Sequence, residues 1–346
     1  MTPSDIDQAL TDAETIEHLR ATAASLTRQL QVEKVKTREM VAAVRQAAEE
    51  ALSGLRVPPV PPPLKDKRRA VPETAIAVIS DLQIGKFTPS YTHEVCAERM
   101  KLYGQKLTHI TEMQRSSHPV RDLRIYLLGD LVEGEEIFEG QSHRLSASLF
   151  RQVMLDGPEI LSGFIRQALA TFDSVHVVGV IGNHGSIGGL RRKSYHPETN
   201  ADAMLYEITR QLLENERRLT WHPNFISDER KWYAVDTIGS KSYFLFHGDQ
   251  IKGGMLGFPW YGFGRRLQGW RNGGIPETFD YSFAGHFHTP ARFQVNRLTH
   301  WNNGTTESDN TYAAENMSAA GRPCQWLLFA HPEHGVTAEY MVYLDE

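Results

Sequence analysis

The chain has 346 residues, 40% of them hydrophobic and 23% charged, and a net charge of −5. This is the composition of a globular protein rather than a disordered or fibrous one, and the acidic balance leaves any nucleic-acid role to local patches. Two cysteines, Cys96 and Cys324, stand far apart, so no disulfide framework is implied and a reducing compartment is expected.

The opening MTPSDIDQAL has neither the basic nor the apolar region of a signal peptide, and no run is apolar enough to span a bilayer, so a cytoplasmic location is expected. Residues 4–55 predict a helix. Thr2 or Ser4 can cap it, Thr11 with Glu14 forms a second capping box, and Gly54 suits its end. Ile16, Leu19, Ala23, Leu26 and Leu30 keep 3–4 spacing, and Val41, Val44, Ala48, Ala51 and Leu55 resume it after a break at Glu33, Lys34 and Thr37. That pattern predicts a coiled coil over 1–56 that makes a homo-oligomer; the alternative is an amphipathic helix lying on its own domain.

VPPVPPPLKDKRRAVPE (Val57–Glu73) predicts a semi-rigid linker over 57–73, because clustered prolines hold the backbone extended. Its PxxP character would also suit a partner's aromatic groove, and Lys65–Arg69 a polyanion. From 74 to 346 the texture is that of one domain. Candidate buried strands are Ala75–Ser80, Leu123–Gly129, Ser174–Gly182, Tyr243–Gly248, Tyr281–Gly285 and Gln325–Ala330, with "TAEYMVYLDE" strand-like at the end. Helices fit at Thr92–Gln114, Leu145–Ala170 and Ala201–Glu216, so the fold class is a layered α/β one.

Ligand-type side chains follow these strands. Asp81 follows the first in "SDLQIG", Asp130 the second in "GDLVEG", and Asn183 and His184 the third in "GNHGS". His247 follows in "HGD", and His286 and His288 in "YSFAGHFHTP". One aspartate after a strand is usually a turn former and one buried histidine a core residue. Five successive strand ends carrying oxygen or imidazole donors point instead to loops converging on a ligand. That donor set suits zinc, manganese or iron, and one bridging carboxylate can hold two ions about 3.5–4 Å apart for attack on a phosphate ester.

In order and spacing these stretches resemble the calcineurin-like metallophosphoesterase superfamily, whose pattern runs D-x-H, GD, GNH followed by an acid, H, and GHxH. The resemblance covers about residues 75–290. It implies a metallophosphoesterase-type sheet sandwich flanked by helices, here preceded by the coiled-coil-like segment. It also implies two divalent ions, manganese first with iron or zinc as alternatives. Asp130 would bridge, Asp81 and His288 would complete one site, and Asn183, His247 and His286 the other; His184 would act on the leaving oxygen. A hydroxide held between the ions would be the nucleophile.

The chain departs from the pattern twice. Gln83 stands where a second imidazole is usual; it is taken as a weaker ligand, with both sites still expected to fill. Gly185 replaces the acid that orients the histidine, leaving Glu133, Asp202 or Asp249 as candidates. GDLVEGEEIFEGQ (Gly129–Gln141) is similar to phage and bacterial repair-nuclease-like members, which implies a partner ATPase, and host cytoplasm if the gene is phage-borne.

MLGFPWYGFGRRLQGWR (Met255–Arg271) sets Trp260, Tyr261 and other aromatics among Arg265, Arg266 and Arg271. Its glycines predict a flexible loop, either a stacking surface for single-stranded nucleic acid or a cap over the sheet. Arg191, Arg192 and Lys193 add positive charge after the GNH turn. A DNA phosphodiesterase is the expected activity. A phosphatase or cyclic-nucleotide phosphodiesterase, and a scaffold subunit of a DNA-processing complex without turnover, are the alternatives.

Overall fold

The computed structural model describes residues 57–137, 140–187, 197–222, 232–252, 258–310 and 321–345, with isolated positions between Ser25 and Gln46. Two units divide the chain, Met1–Ala51 and Leu52–Glu346. In the first, Ser25, Arg28, Gln29, Val35, Glu39, Ala42, Ala43 and Gln46 are helical and exposed. The apolar seam expected to form the coiled coil lies outside the described residues.

The second unit is built on two sheets. Strands β1 (Glu73–Ile79), β2 (Val120–Leu127) and β3 (Ser174–Gly179) run parallel. Helix α1 (His93–Arg115) joins the first pair and α2 (Gly157–Thr171) the second. Strands covered on both faces read as unbroken apolar runs, which is why their C-terminal halves are legible in the sequence. Helix α3 (Ala201–Leu212) leads to β4 (Leu219–Trp221), parallel to β3. The second sheet holds β5 (Tyr233–Ile238), β6 (Lys241–Phe246), β7 (Tyr281–Ala284), β8 (Ala291–Val295) and β9 (Leu298–Asn302). Strands β10 (Cys324–His331) and β11 (Gly335–Tyr343) return to the first sheet. The orders are β11-β10-β1-β2-β3-β4 and β5-β6-β7-β9-β8.

Alternation along each strand decides the layers. Ile76, Val78, Tyr126, Leu128, Val178 and Leu328 face Leu245, Phe283 and Trp301 between the sheets. On the outside of the first sheet, Tyr103 of α1 stacks on Phe164 of α2 with ring centroids 5.3 Å apart. On the outside of the second, Phe244, Phe246 and Leu298 meet helix α4 (Trp260–Gly269) through Phe263 and Leu267. The unit is thus a two-sheet α/β sandwich flanked by helices, the fold class expected from the sequence.

One expectation is corrected. The aromatic stretch is not a loop where it is described: α4 occupies it, with Gly262 and Gly264 inside the helix. Each glycine costs about 1 kcal/mol in a helix, but each buried aromatic or leucine returns about 1.5–3 kcal/mol, and Phe258, Phe263, Leu267 and Trp270 are all buried. The proline-rich stretch, expected as a semi-rigid linker, is hydrogen-bonded to the rest of the second unit. Val60 N–H donates to Glu216 Oε1 (2.7 Å), and the Arg166 and Arg218 guanidiniums bond the Pro58 and Val60 carbonyls (both 2.9 Å). Arg68, read as part of a polyanion patch, bonds the Arg115 carbonyl at 2.7 Å. Among the described residues no helix is long and apolar enough to cross a membrane.

Candidate metal centre

The turns after β1, β2 and β7 are unusually tight. Asp81 (φ 52°), Gln83 (45°), Asp130 (52°), His286 (71°) and His288 (52°) all take the left-handed conformation that non-glycine residues avoid. Such strain persists only where the surroundings over-determine it. Around Asp130 they do. The buried Asp202 carboxylate accepts four backbone N–H groups, from Asp130 (2.9 Å), Leu131 (3.0 Å), Val132 (3.3 Å) and Gly182 (2.8 Å). Gly182 is required there, because a Cβ would stand 2.0 Å from Asp130 Oδ1.

His247 is fully buried, and its Nδ1–H donates to the Leu128 carbonyl at 2.8 Å. That bond fixes the ring's orientation and aims Nε2 at the turns. Asp130 Oδ2 lies 3.0 Å from Nε2, Asn183 Oδ1 3.1 Å and His286 Nδ1 3.2 Å. In the neutral imidazole Nε2 is an acceptor, as the carboxylate and amide oxygens are, so atoms of metal-ligand type converge on one point. A cation satisfies all four atoms at once, and Asp130, His247 and His286 have the mutual spacing of metal ligands. Without an ion the charge pattern is lopsided. Burial opposes protonation of His247, but the Asp130 carboxylate overrides it and pushes the imidazole up to about 10. Burial and the neighbouring His247 push His286 down to about 3.

No family model matches the sequence, and no curated protein matches it. Similar solved structures include a novel archaeal phosphodiesterase (TM-score 0.35, 13% identity, covering 78% of this chain and 99% of that one). Vacuolar protein sorting 29 from Cryptosporidium parvum has a TM-score of 0.36 at 14% identity, covering 78% and 98%. A predicted phosphoesterase from Streptococcus pneumoniae TIGR4 has 0.29 at 11%, covering 79% and 99%. Likeness at this level is loose, and the functional reading rests on the side chains. What the chain keeps is the order of Asp81, Asp130, Asn183, His247, His286 and His288 along the sequence, the pattern in which it resembles the calcineurin-like metallophosphoesterases.

The departures from that superfamily's pattern have structural reasons. A Cβ on Gly185 would stand 2.3 Å from Asn200 Oδ1, and Asn200 caps α3. An acid therefore has no room at 185. Of the three candidates to replace it, Glu133 is the one beside His184: Nδ1 lies 3.0 Å from the Glu133 carbonyl and 3.3 Å from its Oε2. Gln141, the last residue of the GDLV…GQ stretch, braces Glu133 through bonds to its carbonyl (2.9 Å) and Oε1 (3.0 Å). Burial opposes the charged form of His184, yet Asp130 and Glu133 hold its pKa up at about 9. Asp202 instead supports the Asp130 turn.

The Asp81 side differs. Asp81 accepts the His286 amide through both oxygens (3.0 and 3.1 Å), and its Oδ1 lies 3.3 Å from His288 Nε2. His288 Nδ1 meets Glu307 Oε1 at 2.5 Å. Gln83, expected as a ligand, gives its amide oxygen to the Lys86 ammonium at 2.6 Å and turns its nitrogen to His288 Nε2 at 3.1 Å. Lys86 also pairs with Glu307 Oε2 at 2.5 Å. Lys86 and Glu307 were not anticipated. A polar run after an apolar strand end ("WNNGTTES") is the signal that marks Glu307.

Of the expected substrate contacts, Arg191 and Arg192 lie outside the described residues. Trp260, Tyr261, Arg265 and Arg266 are exposed on α4. The helix packs Phe263 against Phe287, the residue between His286 and His288, with centroids 5.5 Å apart.

Proposed function

We propose that this chain is a metal-dependent phosphodiesterase acting on DNA, with manganese as its working ion. The observation that carries the proposal is the cluster of acceptors around His247 Nε2. A divalent ion bound there supplies an acidified water and a site for phosphoryl oxygens. Asp130, Asn183, His247 and His286 hold that ion, and Asp81 and His288 line its other side. His184 donates Nδ1–H to Glu133, so its Nε2 is the atom that delivers a proton to the leaving oxygen. Tyr261, 82% exposed, and Trp260, 49% exposed, offer ring faces to bases while Arg265 and Arg266 attract phosphates. Pairing of copies through the N-terminal helix would place two centres on one strand.

Full-length protein with manganese is expected to cut labelled single-stranded DNA and a chromogenic phosphodiester. Replacing Tyr261, Arg265 and Arg266 together by alanine is expected to lower the ratio of oligonucleotide to small-diester cleavage about 10- to 100-fold, the worth of one or two stacked bases. Cleavage of the small diester but of no oligonucleotide would overturn DNA as the substrate. Absence of metal-dependent cleavage of either would overturn the activity.

A further inference from the structure

We propose that the Lys86 ammonium takes the place of one of the two cations, so that the chain holds a single tightly bound divalent ion, on the His247 side. The inference rests on the metal centre proposed above and replaces the expectation that both positions fill.

The geometry is specific. An ammonium has three donors and no acceptor, so the Gln83 oxygen, 2.6 Å from Lys86 Nζ, is committed to it. Gln83 must then present its NH2 to His288 Nε2, 3.1 Å away, and an amide nitrogen has no lone pair for a metal. Flipping the amide would set two hydrogens of NH2 against the ammonium. Glu307 orients His288 as a carboxylate orients a metal-bound imidazole, but the nitrogen it aims into the pocket is already engaged by the Gln83 amide. The second Glu307 oxygen is engaged by Lys86 at 2.5 Å. Two of the three polar neighbours of His288, Gln83 and Glu307, are therefore tied to one fixed positive charge with 16% side-chain exposure. In so covered a site a dication meets little solvent screening of that charge. The His247 side has no such ammonium: Asp130, Asn183 and His286 each bring an atom within 3.2 Å of His247 Nε2.

The test is the metal content of the full-length protein. After loading with manganese and dialysis, elemental analysis is expected to find one ion per chain, and electron paramagnetic resonance the six-line spectrum of an isolated ion. Any second ion is expected to bind at least about 100-fold more weakly in calorimetry, the upper range for losing a ligand's supporting shell. The double variant Lys86→Met/Gln83→His is expected to hold two ions with an exchange-coupled spectrum, and Lys86→Arg, which keeps the charge, one. Two equally tight ions in the unaltered protein would overturn the inference and leave the proposed activity standing. A cooperatively melting double variant that still holds one ion would overturn the role of Lys86. No ion at all would overturn both the inference and the metal centre.

Discussion

Asp130→Asn is expected to abolish metal binding and reduce phosphodiester cleavage by about 10³-fold or more while leaving the fold intact. Losing a supporting residue around a metal costs about 10–100-fold and losing a charge-stabilising donor about 10²–10³-fold; Asp130 supplies both charge and ligand atom. Its Oδ1 accepts the His184 amide at 2.7 Å and its Oδ2 faces His247 Nε2 at 3.0 Å. The asparagine oxygen has to stay with the His184 amide, which turns NH2 toward His247. The variant thus removes the negative charge and one oxygen ligand from the cluster without opening a cavity. Metal content, melting temperature and cleavage of labelled DNA in manganese check this together. Equal cleavage by variant and parent would favour the non-catalytic scaffold.

Asp202→Asn is expected to be worse for the fold. All four groups that reach Asp202 are backbone donors, two to each oxygen. Whichever way an asparagine lies, its NH2 confronts two buried N–H groups. Each unsatisfied group costs about 1–3 kcal/mol, so the loss is about 2–6 kcal/mol. Against a typical total of about 5–15 kcal/mol that is a large fraction. A urea titration is expected to show the midpoint falling at unchanged slope, together with weaker metal uptake, because the Asp130 turn loses its support. A midpoint within experimental error of the parent would remove Asp202 from this role.

Much of the centre was legible because buried parallel strands are apolar runs, and a run that stops at Gly-Asp, Gly-Asn-His or Gly-His-x-His announces a turn with donors on it. Five separate turns could be named that way, and the chain brings their side chains together. What the sequence could not show was which distant group reaches which. Glu133 and Asp202 were equal candidates beside His184, since only the cap at Asn200 decides that Gly185 stays bare. Lys86 reads as an ordinary surface lysine in "IGKF", and Glu307 as one more polar residue after "NNGTT". Both matter through contacts more than 200 positions apart in the chain. The helix α4 was missed for a different reason: its glycines argue for a loop locally, and its burial against Phe244 and Phe246 is a tertiary effect.

The proposed ligands around His247 Nε2 come from both layers of the sandwich. Asp130 and Asn183 follow β2 and β3, whereas His247 and His286 follow β6 and β7. Coordination as proposed would therefore also be a rivet: a bound ion would fasten one sheet to the other along a single rim. A chelator would weaken the seam between them, and the resistance of this unit to heat would track how much metal the surroundings supply.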